Sequence, residues 1–202
     1  MNPEQASAQG IAQELSEMPP ASATSLQLSV DDYLEVIRGV LDLYANKKEM
    51  DTIYVTATIS SEAIRRVLDA LDIDTSRIYF VDCISHIMMG ATSAQLDEHT
   101  TLVESPTMLE NLMLKVEYLI KRSESKDKLV VIDSINSLAI HNSNWILSEF
   151  LHILVSGLRS MEASTIIFSV EEHSTPEINN LVNLVCDHVL RTSNKEGKDE
   201  VH

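Results

Sequence analysis

The sequence predicts a three-layer α/β fold, with helices covering both faces of a mainly parallel sheet of about six strands. Three observations lead to it. Short apolar runs rich in β-branched residues alternate with longer amphipathic stretches, the pattern of repeated strand–helix–strand units. The chain has 202 residues, 44% hydrophobic and 23% charged, which suits one ordinary globular core with tails. The apolar runs also end in Asp, Ser or Thr, polar residues at what would be the carboxyl edge of a parallel sheet, where ligands of such folds bind.

Residues 1–25 are rich in Ala, Ser, Gln, Glu and Pro, include Met18-Pro19-Pro20 and hold no sustained period. They are predicted to be a flexible N-terminal tail, with at most a helical turn around 11–15. A first strand at 26–30 opens the domain, which runs over 26–191. A helix over 32–48 follows, with Tyr33, Ile37, Val40, Leu41 and Tyr44 on one face and an Asp32-x-x-Glu35 capping pattern at its start. Strand 52–56 leads into a helix over 60–71 that buries Ile64, Val67, Leu68 and Leu71, and strand 77–82 comes next. The segment 86–104, which includes Met88-Met89, has weak period and reads as a long loop, either mobile or serving as a lid. Ser105-Pro106 is expected to cap a helix presenting Leu109, Leu112, Met113, Val116 and Ile120. Strand 129–133, a helix over 144–161 and strand 165–170 follow. A last helix begins at the capping box Ser174-Thr175-Pro176-Glu177, and strand 188–191 closes the fold. Residues 192–202 are predicted to be a flexible C-terminal tail.

Asp and Glu number 31 against 15 Lys and Arg, a net charge of -16 that repels a phosphate backbone, so no nucleic-acid partner is expected. No apolar run approaches the roughly 18 residues that cross a bilayer, and Glu4, Glu14 and Glu17 stand where a secretory signal would be basic and apolar. The expected setting is soluble and cytoplasmic, with no membrane contact. Cys83 and Cys186 lie far apart in apolar surroundings and are predicted to be free thiols. The seven histidines show no metal-ligand spacing, and no G-x-S-x-G elbow is present.

The strand ends carry whatever chemistry the fold has. They read Asp31-Asp32, Thr56-Ala57-Thr58, Asp82-Cys83, Asp133-Ser134 and Ser169 to Glu172. The run Leu129-Val-Val-Ile-Asp133-Ser134 has the form of the Mg²⁺-holding strand of P-loop NTPases. Such a carboxylate more often caps the turn that follows, and Asp133 is predicted to cap the turn before Ile135.

Residues 129–138 (LVVIDSINSL), the helix through Phe150-Leu151 and Leu158-Arg159, and the strand 165–170 running into Glu171-Glu172 resemble the second half of the RecA/KaiC-like ATPase domain. Residues 53–56 and 73–85 resemble more specifically an archaeal branch of KaiC-related proteins that has the fold without its phosphate loop. The resemblance covers roughly 25–192. It implies the strand order sixth, first, fifth, fourth, second, third, and association with a protein partner or as a homo-oligomer.

Two departures from active members of the superfamily bear on catalysis. The phosphate loop G-x-x-x-x-G-K-[ST] needs glycines so that backbone N–H groups can close around phosphates. The five glycines stand at 10, 39, 90, 157 and 197, and the place between the first strand and first helix reads Ser29-Val30-Asp31-Asp32-Tyr33. Second, where the resemblance leads one to expect a Glu that activates water, the second strand ends in Thr56-Ala57-Thr58. The residues therefore predict a degenerate domain without ATPase activity, with no catalytic residues, no metal and neither ATP nor Mg²⁺ as cofactor, and the resemblance implies a role as an interaction or regulatory module of archaeal signalling. The alternatives are a nucleotide- or small-ligand-binding protein using a cleft of Thr56, Thr58, Asp82, Asp133, Ser134 and Glu171, a weak ATPase, or an enzyme of another α/β family with Asp82 or Asp133 as base.

Overall fold

Residues 7–86 and 98–192 are described by the computed structural model. Their strands are β1 (Ala23–Leu28), β2 (Asp51–Thr56), β3 (Ile78–Asp82), β4 (Thr100–Leu102), β5 (Lys128–Asp133), β6 (Ala163–Val170) and β7 (His188–Arg191). The helices are α1 (Ala8–Glu17), α2 (Tyr33–Ile37), α3 (Ser61–Ala70), α4 (Leu109–Arg122), α5 (Ile135–His141), α6 (Asn144–Ser160) and α7 (Pro176–Val185). Without a break, α2 runs on through a π-helical stretch, Arg38–Ala45, and a 3-10 turn, Asn46–Lys48.

The strands form one 7-stranded sheet in the order β4-β3-β2-β5-β6-β1-β7, every pair parallel. Central β5 shows why its sequence is an unbroken apolar run. Val130 and Ile132 point into a core shared with α4, α5, α6 and α7, while Leu129 and Val131 point into the opposite core, shared with α1, α2 and α3. Successive side chains alternate between faces, and in a sheet covered on both sides each face must be apolar. Helix starts follow hydroxyl caps: Ser60, Ser134, Ser143 and Thr175 each accept from a backbone N–H three residues on.

The six expected strands are present in the expected order, and β4 adds a seventh at the edge. It lies within the segment read as a loop; three residues with no alternation are too short to announce a strand, and it forms by pairing Phe80–Asp82 of β3. Residues 87–97 of that segment, with Met88-Met89, lie outside the described residues, as do 193–202 of the C-terminal tail.

Four local expectations are corrected. The N-terminal tail is structured from Ala8: α1 is capped by Ser7 and buries Ile11, Ala12 and Leu15 against the apolar face of α2 and its continuation. Correspondingly β1 begins at Ala23, three residues early, because Thr24 and Ser25 pair with β6 and β7. Asp32 caps nothing with its side chain; it accepts from Ser29 Oγ at 3.0 Å, and Glu35 accepts instead from the Ala8 N–H at 3.1 Å, tying α1 to α2. Ser105-Pro106 forms a turn closed by Met108 N to Ser105 O, and α4 starts only at Leu109.

Candidate functional site

The parallel register brings three of the expected site residues into one row. Thr56, at the end of β2, pairs with Asp82 of β3 on one side and with Asp133 of β5 on the other. All three are fully buried, and their side chains are engaged in different ways.

Asp82 is a saturated hub. Its Oδ1 accepts from the backbone N–H groups of Ile84 and Ser85, both at 2.8 Å, and its Oδ2 accepts from Ser61 N and Ser85 Oγ, both at 2.6 Å. Burial by itself raises such a carboxyl, yet these donors outweigh it and hold Asp82 below the usual range, so it is ionised and fixes the starts of two connections. Thr56 Oγ1 donates to the Ile59 carbonyl and closes the turn after β2.

Asp133 does not cap the turn before Ile135; Ser134 does, accepting from Ser137 N at 3.4 Å. Asp133 Oδ2 instead accepts from two phenols, Tyr54 at 2.6 Å and Tyr33, whose own hydroxyls lie 3.3 Å apart. Tyr54 sits two residues before Thr56 on β2, and Tyr33 opens α2, so the three side chains join α2 to the centre of the sheet. Burial pushes the Asp133 carboxyl up, with both tyrosine hydrogen bonds opposing. Burial and the neighbouring carboxylate also raise both phenols, which therefore stay protonated donors.

Thr58 joins a hydroxyl group of three, 2.8 Å from Ser137 Oγ and 3.5 Å from Ser134 Oγ. Glu171 stands in the 3-10 turn after β6 (Glu171–His173). Its neighbour Glu172 is the better placed carboxylate: both oxygens lie 3.2 Å from Val30 N, on the backbone that leads from β1 into α2. Asn136 ties α5 to the end of β6, accepting from Val170 N at 2.8 Å and donating to Val170 O at 3.3 Å.

The sequence reading brings Asp82, Asp133 and Thr56 together, leaves out Tyr33 and Tyr54, and takes Glu171 for the cleft where Glu172 makes the contact. By its spacing Tyr33 reads as part of an apolar helix face. The usable signal was an aromatic hydroxyl at the start of a helix whose fold position normally faces a strand-end Asp.

Among the described residues, no three His, Cys, Asp or Glu converge into a metal-binding group. A groove of about 840 Å³ lies at the opposite edge, near the amino ends of β2, β3 and β5, where Arg77 and Ser123 both donate to Asp51. No helix of the described residues is long and apolar enough to cross a membrane.

A solved KaiC-like protein from the hyperthermophilic archaeon Pyrococcus horikoshii OT3 has the same fold, with a TM-score of 0.59 at 17% identity over 90% of this chain and 76% of that one. No curated protein matches. The sequence model of the KaiC ATPase family matches residues 43–202, from the end of the first long helix through every later strand. With the strand order and the Asp-ended central strand, that match shows that the chain belongs to the KaiC ATPase family.

Proposed function

We propose that this chain is a KaiC-family domain that has lost ATP hydrolysis and works as a protein-interaction or regulatory module, in archaeal signalling as the resemblance suggests. The observation that carries the reading is the pair of phenols on Asp133. In P-loop NTPases the strand-end Asp and a hydroxyl at the start of the first helix hold Mg²⁺ between them. Here the first-helix residue is Tyr33, long enough to reach Asp133 itself, so two neutral donors take the place of the cation.

Two further features support it. Phosphate would need the N–H groups that lead into α2, and Glu172 already accepts from Val30 N there, beside Asp31 and Asp32. The second strand ends in Thr56, occupied with Ile59, and Thr56-Ala57-Thr58 at its carboxyl end offers no carboxylate to activate a water. The residues present do not fit ATP with Mg²⁺, and no catalytic step follows from them.

Incubation with Mg²⁺ and ATP tests this directly. No phosphate release above a denatured control is expected. Release that is lost in Asp133→Asn would overturn the reading and restore an ATPase.

A further inference from the structure

Helix α1 is held to the body by one narrow stripe. It buries Ala8, Ile11, Ala12 and Leu15, while its opposite face, with Gln13, Glu14 and Glu17, is exposed. Its 10 residues, with Gly10 inside the first turn, fall short of the roughly 12–15 at which an isolated helix is even marginal in water, so α1 is a helix only while docked. The chain is fixed again directly after it. Ala21 N–H donates to Ser164 Oγ at 3.2 Å, and the Ser22 carbonyl accepts from Thr165 N at 3.0 Å, both ahead of β1. Pro19 and Pro20, between helix and anchor, carry no N–H to couple the two. Opening of α1 can therefore stop at residue 21 and leave β1 in the sheet.

The seat beneath α1 has its own specificity. It is formed by α2 and the π-helical stretch Arg38–Ala45, a backbone form that is rare and recurs at functional sites. At Gly39 the seat has no side chain, and a Cβ there would stand 2.9 Å from the Ala8 carbonyl, so the helix it receives must be small at that point. Glu35 accepts the Ala8 N–H at 3.1 Å, as a carboxylate placed at a helix N-terminus does. Val36 and Val40 share one buried cluster with Ile11 and Leu15. Together these features select a helix that starts on Glu35, carries small residues over Gly39, and has aliphatic side chains three and seven positions after the first. Both α1 and Gly39 lie outside residues 43–202, the part matched by the family model.

We propose that α1 is a displaceable strap over a helix-binding seat on α2 and its π-helical stretch, and that the seat takes an amphipathic helix of the α1 pattern from a partner protein. This gives the interaction module proposed above its docking surface and rests on that reading, though not on the loss of hydrolysis. The strap keeps the apolar seat covered until a helix with a better-filled stripe replaces it.

Two measurements on the full chain test it. In hydrogen exchange, the amides of 8–17 should exchange at least about 100-fold faster than those of β5, with β1 still protected. A fluorescein-labelled peptide of residues 7–18 then serves as the probe in anisotropy titrations. Ile11→Ser with Leu15→Ser empties the seat without altering it, and this chain should bind the peptide at least about tenfold more tightly than the wild type does. Adding Gly39→Val should abolish that binding while β5 and β6 keep their exchange protection. Should Gly39→Val disturb the body, Glu35→Ala in the emptied chain gives a second reading, a clear weakening of the peptide. Exchange of α1 only together with β5 overturns the proposal. So does a peptide that ignores the emptied seat, or one that binds it regardless of Gly39→Val and Glu35→Ala. None of these results touches the ATPase reading, which phosphate release decides separately.

Discussion

Asp82 and Asp133 end strands on either side of β2 and look alike in sequence, yet their partners make them opposite cases. Asp82 receives four donors on two oxygens, so Asp82→Asn turns an NH₂ toward backbone N–H groups that need an acceptor. A loss of about 2–4 kcal/mol in urea unfolding is expected. Asp133 receives both phenols on one oxygen, and Asn keeps that acceptor, so Asp133→Asn should cost no more than about 1 kcal/mol at pH 7. The pH dependence separates them further. The folded state raises the Asp133 carboxyl, so its contribution is fully present below the unfolded value near 3.9 and is lost as pH rises through the higher folded value. Asp133→Asn should therefore gain on the wild type as pH rises from the unfolded value through the higher folded one, in matched urea titrations. Asp82 is lowered, so its contribution is present above the unfolded value and lost as pH falls through the folded one. A melting temperature that climbs saturably with Mg²⁺, Mn²⁺ or Ca²⁺ and loses that rise in Asp133→Asn would mean that a cation displaces the phenols; no such rise is expected.

Among the elements, α1 shows best what the sequence concealed. Its apolar residues are few, Ala8, Ile11, Ala12 and Leu15, and Met18-Pro19-Pro20 follow at once, so composition speaks for a tail. Docking depends on a single distant residue: a side chain at Gly39 would come within 2.9 Å of the Ala8 carbonyl and 3.0 Å of Ile11 Cβ, so glycine lets α1 lie against the π-helical stretch. Gly39→Val is expected to release α1, removing hydrogen-exchange protection from residues 8–17 while β5 and β6 keep theirs, at a cost of about 1–3 kcal/mol. By contrast β2, β5 and β6 were legible, because each centres on three or four consecutive apolar residues, 53–55, 129–132 and 166–168, a pattern that suits a doubly covered sheet. The strand-end row was legible for the same reason: register follows from the runs, and Thr56, Asp82 and Asp133 follow from register. What Tyr33 does was not, since a tyrosine on an amphipathic helix packs its ring in the core whether or not its hydroxyl finds a carboxylate.

At the scale of the whole molecule a KaiC-family sheet is kept, and on the proposed reading the edge where P-loop NTPases hold Mg²⁺ and phosphate is taken up by the protein's own side chains. Tyr33 and Tyr54 satisfy Asp133, Glu172 sits on Val30 N, and the surrounding charge is acidic. The stability of the intact chain reads this directly, because a ligand that binds only the folded state at 100 times its Kd adds about 2.7 kcal/mol. The deciding measurement is the melting temperature with and without millimolar ATP and Mg²⁺. Coincident curves are expected; a saturable upward shift of several degrees would contradict the loss of ATP binding.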